Sequence, residues 1–135
     1  MLEIFNNDEL IFSSESKWLH PIFEFEEVLK NNDNKYENLS AHDSVIGKAA
    51  AVLLTRLGVN QLHGDLVSNL AIEYISQKLG FSHITWNESV EKIQCMTETE
   101  LENLTNDEDM YNLVKARHDK ACIQKNQQEQ SKKLQ

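Results

Sequence analysis

Turn and cross-link chemistry is what this sequence has least of: one proline, four glycines and two cysteines in 135 residues. Two cysteines build no disulfide framework, so Cys95 and Cys122 read as reduced thiols of a reducing compartment. The longest unbroken apolar run, residues 49–54, is far too short for a bilayer, which excludes a helical membrane span. The opening Met1-Leu2-Glu3-Ile4-Phe5 has no positive region and meets an acid at once, so no secretory signal is read there. A cytoplasmic protein is the expectation. Positive charge is also scarce. The net charge of -9 repels nucleic-acid backbones, and neither nucleic acid nor membrane is expected as a partner.

Zinc-deaminase chemistry is missing too. It requires H-x-E for one ligand and the acid–base glutamate, then P-C-x-x-C for two thiolate ligands. None of the five histidines begins H-x-E, and His63-Gly64-Asp65 comes nearest. The cysteines stand 27 positions apart, and the single proline, Pro21, precedes neither. No metal and no cofactor are predicted.

What is present patterns as one α/β domain. Residues 2–5 and 9–13 around Asn6-Asn7-Asp8 read as a β-hairpin. Ser16 is placed as the cap of a helix with Pro21 in its opening turns and Trp18, Ile22, Phe25, Val28 and Leu29 as its buried stripe. The polar run at 31–35 ends that helix in a surface loop. Residues 40–58 read as a central helix, capped by Ser40 or Asp43, apolar nearly all round from Val45 to Leu57 and stopped at Gly58. A buried strand at 59–66 follows, then a helix that Ser68 caps and Gly80 ends. Phe81, Ile84 and Trp86 suggest a further strand, and short helices are expected at 96–104 and 110–121. Strand–helix alternation after Gly58 calls for a parallel pair with a right-handed crossover. Trp18, Trp86 and the phenylalanines are taken as core.

Charge divides late in the chain. Residues 97–110 hold six acids and no Lys or Arg, whereas residues 112–135 hold six Lys or Arg against Asp119 and Glu129. This reads as a solvated acidic helix followed by a basic tail, flexible and disordered over 124–135. Docking of that tail on an acidic partner is the alternative.

Candidate chemistry gathers at the entrance of the central helix. Glycine inside a helix costs roughly 1 kcal/mol against alanine, so Gly47 is expected to admit a close approach by backbone or ligand. Free N–H groups and Lys48 would offer positive potential to an anion. The G-x-x-x-x-G-K-[ST] spacing of a phosphate loop is absent, and packing against the sheet would explain Gly47 equally. Ser68 would sit at the same sheet edge, where open α/β folds bind ligands. Cys95 is a candidate nucleophile because it precedes an acidic helix, although Glu98 works against thiolate formation. His42, His63 and His83 could supply a base, yet nothing in the sequence brings one near.

The run Asp43-Ser44-Val45-Ile46-Gly47-Lys48-Ala49-Ala50-Ala51, then Gly58-Val59 and Ser68 with Ala71, resembles a prokaryotic family of domains of unknown function in the cytidine-deaminase-like superfamily. Its pattern is D-x-V-x-G-K-A-A-A, a G-V strand start, an S-x-x-A helix start and a later C-P-x-E. Asp43, Gly47 and Lys48 match the first, Ser68 the third, and Cys95 and Glu98 the last, with Met96 replacing the proline. The resemblance spans residues 2–104. It implies a three-layer α/β/α sandwich, with a mixed sheet that starts from the antiparallel hairpin. It also implies two central helices whose starts face a shared pocket, where active deaminases hold zinc. Residues 1–104 are accordingly expected as a deaminase-like domain, and 105–135 as a C-terminal helix with its tail.

The expected function is a non-catalytic module that binds a small anionic or nucleotide-like ligand through Asp43, Gly47, Lys48 and Ser68. A thiol enzyme using Cys95 and a protein-interaction domain are the rival readings. A protein partner or a second copy of the chain belongs to the same set of expectations.

Overall fold

The computed structural model describes residues 1–32 and 36–133, with side chains through residue 122. Strand β1 (Leu2–Asn6) turns into β2 (Glu9–Ser14) through Asn7 and Asp8, both with positive φ (50° and 68°). A two-residue turn with both centres left-handed matches the twist of paired strands, and Asn and Asp tolerate it. Helix α1 (His20–Lys30) follows with Pro21 in its first turn, as the sequence predicts. Ser16 is not its cap. Its hydroxyl donates to Glu24 Oε1 at 2.6 Å, and the capping position is Leu19, which has no side-chain acceptor. Of the predicted stripe, Ile22 and Phe25 are buried, joined by Phe23, whereas Val28 and Trp18 are exposed. The loop predicted at 31–35 lies partly outside the described residues, which omit 33–35.

The main correction concerns residues 39–46. They form a strand, β3 (Leu39–Ile46), where a helix start is predicted. Helix α2 (Lys48–Arg56) begins only after it, with Gly47 at the N-cap. Strand β4 (Val59–Ser68), α3 (Asn69–Lys78), a 3-10 turn (Phe81–His83), β5 (Ile84–Val90), α4 (Met96–Leu101) and α5 (Asp107–Lys133) complete the chain. Gly58 and Gly80 end α2 and α3 with φ of 92° and 104°, a conformation that side-chain-bearing residues resist. The backbone of α5 continues as helix to Lys133, where the sequence predicts a disordered tail, and residues 134 and 135 lie outside the described residues.

The five strands form one mixed open sheet in the order β2-β1-β3-β4-β5. β1 is antiparallel to both β2 and β3, while β3, β4 and β5 run parallel, so the expected parallel pair is a triplet. α2 links β3 to β4 and α3 links β4 to β5. Crossovers of one hand that step in one direction put both helices on the same face. α2 is the central helix, as predicted. Residues 49 through 54 are all buried, packed among α1, α3, α4, α5 and the sheet. Among the described residues this layer of helices lies over one face. The other face is polar and open, with Glu3 opposite His42, His42 opposite His63 and His63 opposite Thr85 in one row across four strands. No helix of the described residues is long and apolar enough to cross a membrane. Three aromatics assigned to the core are instead at the surface: Trp18, Trp86 and Phe81.

Candidate functional site

Because β3 and β4 are parallel neighbours, α2 and α3 begin side by side at one edge of the sheet. Ser68 caps α3, its Oγ accepting the Ala71 N–H at 3.1 Å. Cys95 caps α4, which carries Glu98 into the gap between the other two helix starts. Glu98 is 2% exposed. Its Oε1 accepts the backbone N–H of Lys48 at 2.8 Å and the Ser68 hydroxyl at 3.4 Å, and its Oε2 accepts the Ile93 N–H at 3.0 Å. One carboxylate thus bridges two helix N-termini and a loop, the positive ends that favour an anion.

The acidic group at these two helix starts is thus the chain's own. Gly47 is at an N-cap with φ of −99°, so no helix-interior penalty needs offsetting. Its lack of a side chain has another cause: a Cβ there would stand 2.7 Å from Glu98 Oε2. The Lys48 ammonium turns away from the gap and donates to the carbonyls of Leu101 at 2.9 Å and Leu104 at 2.7 Å, closing the end of α4.

A pocket of about 320 Å³ opens beside this bridge, and most of the sequence-predicted site residues converge on it. Trp18, Asp43, Gly47, Ala50, Cys95 and Glu98 are on its wall, and Ser68 reaches it only through Glu98. Burial pushes the Asp43 carboxyl above its usual value of 3.8, although its bond from the Ser44 N–H at 2.7 Å pulls the other way. Trp18 holds φ of 58°, a strained conformation for a bulky residue that costs about 1–3 kcal/mol and persists where the surroundings enforce it. Among the described residues the wall therefore offers the Asp43 carboxyl and one indole, with the Met1 ammonium 3.9 Å from Asp43 Oδ1, the Glu98 carboxylate already engaged by the chain, and Lys48 committed to carbonyls elsewhere.

Cys95 is exposed on the same wall, but its Sγ accepts the Glu98 N–H at 3.4 Å, and among the described residues no histidine is bonded to it. His42, His63 and His83, the candidate bases, lie on other strands or turns and bond Asp65, Thr85 and the Asn60 carbonyl respectively. Both cysteines are free, as expected. The acidic α4 and the basic stretch of α5 meet each other: Arg117 donates to Thr97 at 2.9 Å and pairs with Glu100.

Glu98 is the residue that sequence reasoning misses, since the sequence matches it to C-P-x-E and to nothing else. Its signal was an acid three positions after a capping residue, the spacing of a capping box, here redirected to neighbouring helices. Trp18 left no such signal.

A family model described as "TM1506: Domain of unknown function (DUF1893)" matches residues 2–117. Among solved structures, a DUF1893 family protein (TM1506) from Thermotoga maritima is similar, with a TM-score of 0.72 at 21% identity, covering 86% of this chain and 79% of that one. At that identity the likeness is one of fold. No curated protein matches the chain.

Proposed function

The chain belongs to the DUF1893 family of domains of unknown function, and from that premise we propose that it is a non-catalytic, small-ligand-binding module of the cytoplasm. The ligand sits in the pocket beside Gly47. What carries the reading is the Asp43 carboxyl and the Trp18 indole on the wall of a pocket of about 320 Å³, a volume at the lower end of small-molecule sites. The Met1 ammonium is paired with Asp43 and Lys48 is committed to carbonyls, so among the described residues no unpaired cation on this wall calls for a phosphate. The Asp43 carboxyl favours a ligand that presents N–H donors, and the indole offers a flat surface to stack on. A donor-rich heterocycle of nucleobase size meets both demands, which keeps the nucleotide-like expectation for the base and drops it for the anion. Strain at Trp18 adds support, since strained backbone clusters at ligand clamps. The cytidine-deaminase-like assignment of the fold belongs to the same proposal, supported by α2 and α3 starting side by side as the resemblance implies.

A thermal-shift screen of free nucleobases, nucleosides and their phosphates on the full chain tests this. A ligand at one hundred times its dissociation constant adds about 2.7 kcal/mol, enough for a clear shift. The expected pattern is stabilisation by bases with adjacent N–H donors, no gain from added phosphate, and affinity reduced at least about tenfold in Asp43→Asn and in Trp18→Ala. A ligand bound with undiminished affinity by both variants rules this pocket out as its site. Lys48→Ala is a poorer probe, because it removes the closure of α4.

A further inference from the structure

The open face of the sheet carries a second arrangement, unrelated to the pocket. His63 and Asp65 are two positions apart on β4, so both point to the open side. His42 is the direct cross-strand partner of His63 on β3. One potential ligand atom from each of the three lies within 4.8 Å of the others. They border a groove of about 570 Å³ with Thr85 and Asn87. We propose that His42, His63 and Asp65 form a binding site for a divalent transition-metal ion, with zinc as the probe.

Four observations carry the assignment. Imidazole and carboxylate together suit first-row divalent ions, and two histidines with one carboxylate leave coordination positions open. His42 Nε2 and Asp65 Oδ1 stand 3.2 Å apart, close to the roughly 3.3 Å separating two ligand atoms about 2.0–2.1 Å from a tetrahedral ion. A metal would replace the one proton that links them. Each histidine also has an outer partner on Nδ1, Glu3 Oε1 at 3.3 Å for His42 and Thr85 Oγ1 at 2.7 Å for His63, which leaves Nε2 to ligate. Outer partners of this kind orient ligating imidazoles. Finally, the Asp65 carboxylate is itself held by the Asn87 amide at 3.2 Å. Since the zinc-deaminase motifs are absent and this face lies across the sheet from the helix starts, the site is no remnant of that chemistry.

The test is calorimetric titration of Zn2+ into the full-length, untagged chain, repeated with Co2+ for its visible spectrum. One equivalent is expected per chain, with nitrogen and oxygen d–d bands and no thiolate charge-transfer band. His42→Ala and His63→Ala should each weaken binding by roughly 100-fold or more, and Glu3→Gln, which disturbs only an outer partner, by roughly 10-fold. All three residues are on the solvent-facing side, and circular dichroism is the check that each variant folds. Absence of binding by the wild-type chain overturns the proposal. So does an affinity unchanged in both histidine variants, or a thiolate band that disappears in Cys122→Ser.

Discussion

At position 47 a single added methyl group would stand 2.7 Å from Glu98 Oε2, inside any real contact distance, and 3.2 Å from its carboxyl carbon. The backbone φ of −99° is open to any residue, so the constraint at this glycine is space alone. Gly47→Ala should therefore cost about 1–3 kcal/mol, the usual range for overpacking. Glu98→Ala removes the obstacle but strands the Lys48 N–H, the Ile93 N–H and the Ser68 hydroxyl, at about 1–3 kcal/mol for each buried group that water does not reach. The two changes share one contact and should not add. In a double-mutant cycle followed by urea unfolding, Gly47→Ala should be nearly neutral once Glu98 is alanine, a coupling of roughly 1 kcal/mol or more. Strictly additive costs would show that the glycine answers to something other than this carboxylate.

Among the elements, β3 shows best what the sequence made legible and what it hid. The hairpin, α1, both glycine-terminated helices, β4 and β5 follow from local pattern, because turn residues and 3.6- or 2-residue periods are local properties. β3 is Leu-Ser-Ala-His-Asp-Ser-Val-Ile, poor in strand formers and rich in capping residues, so Ser40 and Asp43 read as helix starts. It is a strand because β1 and β4 bond to both of its edges, a property of distant segments. The same local pattern puts Gly47 inside a helix, where the structure has it at the N-cap. The contact between α1 and α5 is similarly non-local. There His20 Nδ1 and His118 Nδ1 share a bond of 2.7 Å, and the His118 ring stacks on Phe23. Burial, then His20 and Lys115, hold His118 below its ordinary value of 6.5, against weaker opposition from Asp119 and Glu26. The folded chain thus binds fewer protons than the unfolded chain just below pH 6.5. Stability should fall as pH drops through that window and be unaffected by this group above it. His118→Phe keeps the ring on Phe23 and removes the titration, so its stability should lose less between pH 6.5 and 5 than that of the wild type. A slope identical to wild type would mean that the histidine pair contributes nothing to the acid response.

For the molecule as a whole, the open question is how much of α5 the fold requires. The sequence predicts a domain of residues 1–104 followed by a helix and tail, a division that a truncation series tests directly. Met110 and Val114 are each 1% exposed and pack into the main core. Their burial stabilises by roughly 1.5–3 kcal/mol apiece, a large share of the 5–15 kcal/mol typical of a domain. The same stretch holds polar partners. The Tyr111 hydroxyl donates to the buried Glu26 carboxylate at 3.0 Å, and the Tyr74 hydroxyl donates to Asp107 at 3.0 Å. A chain ending at residue 105 would uncover an apolar face on α2 and remove the tyrosine partner of Glu26. It should lose cooperative unfolding and bind a hydrophobic dye. A chain ending at residue 122 keeps every one of these contacts, so its unfolding midpoint should lie within a few degrees of the full-length value. If the shorter chain instead unfolds cooperatively near the full-length midpoint, α5 is an appendage, and its acidic start and basic continuation become candidates for docking a partner.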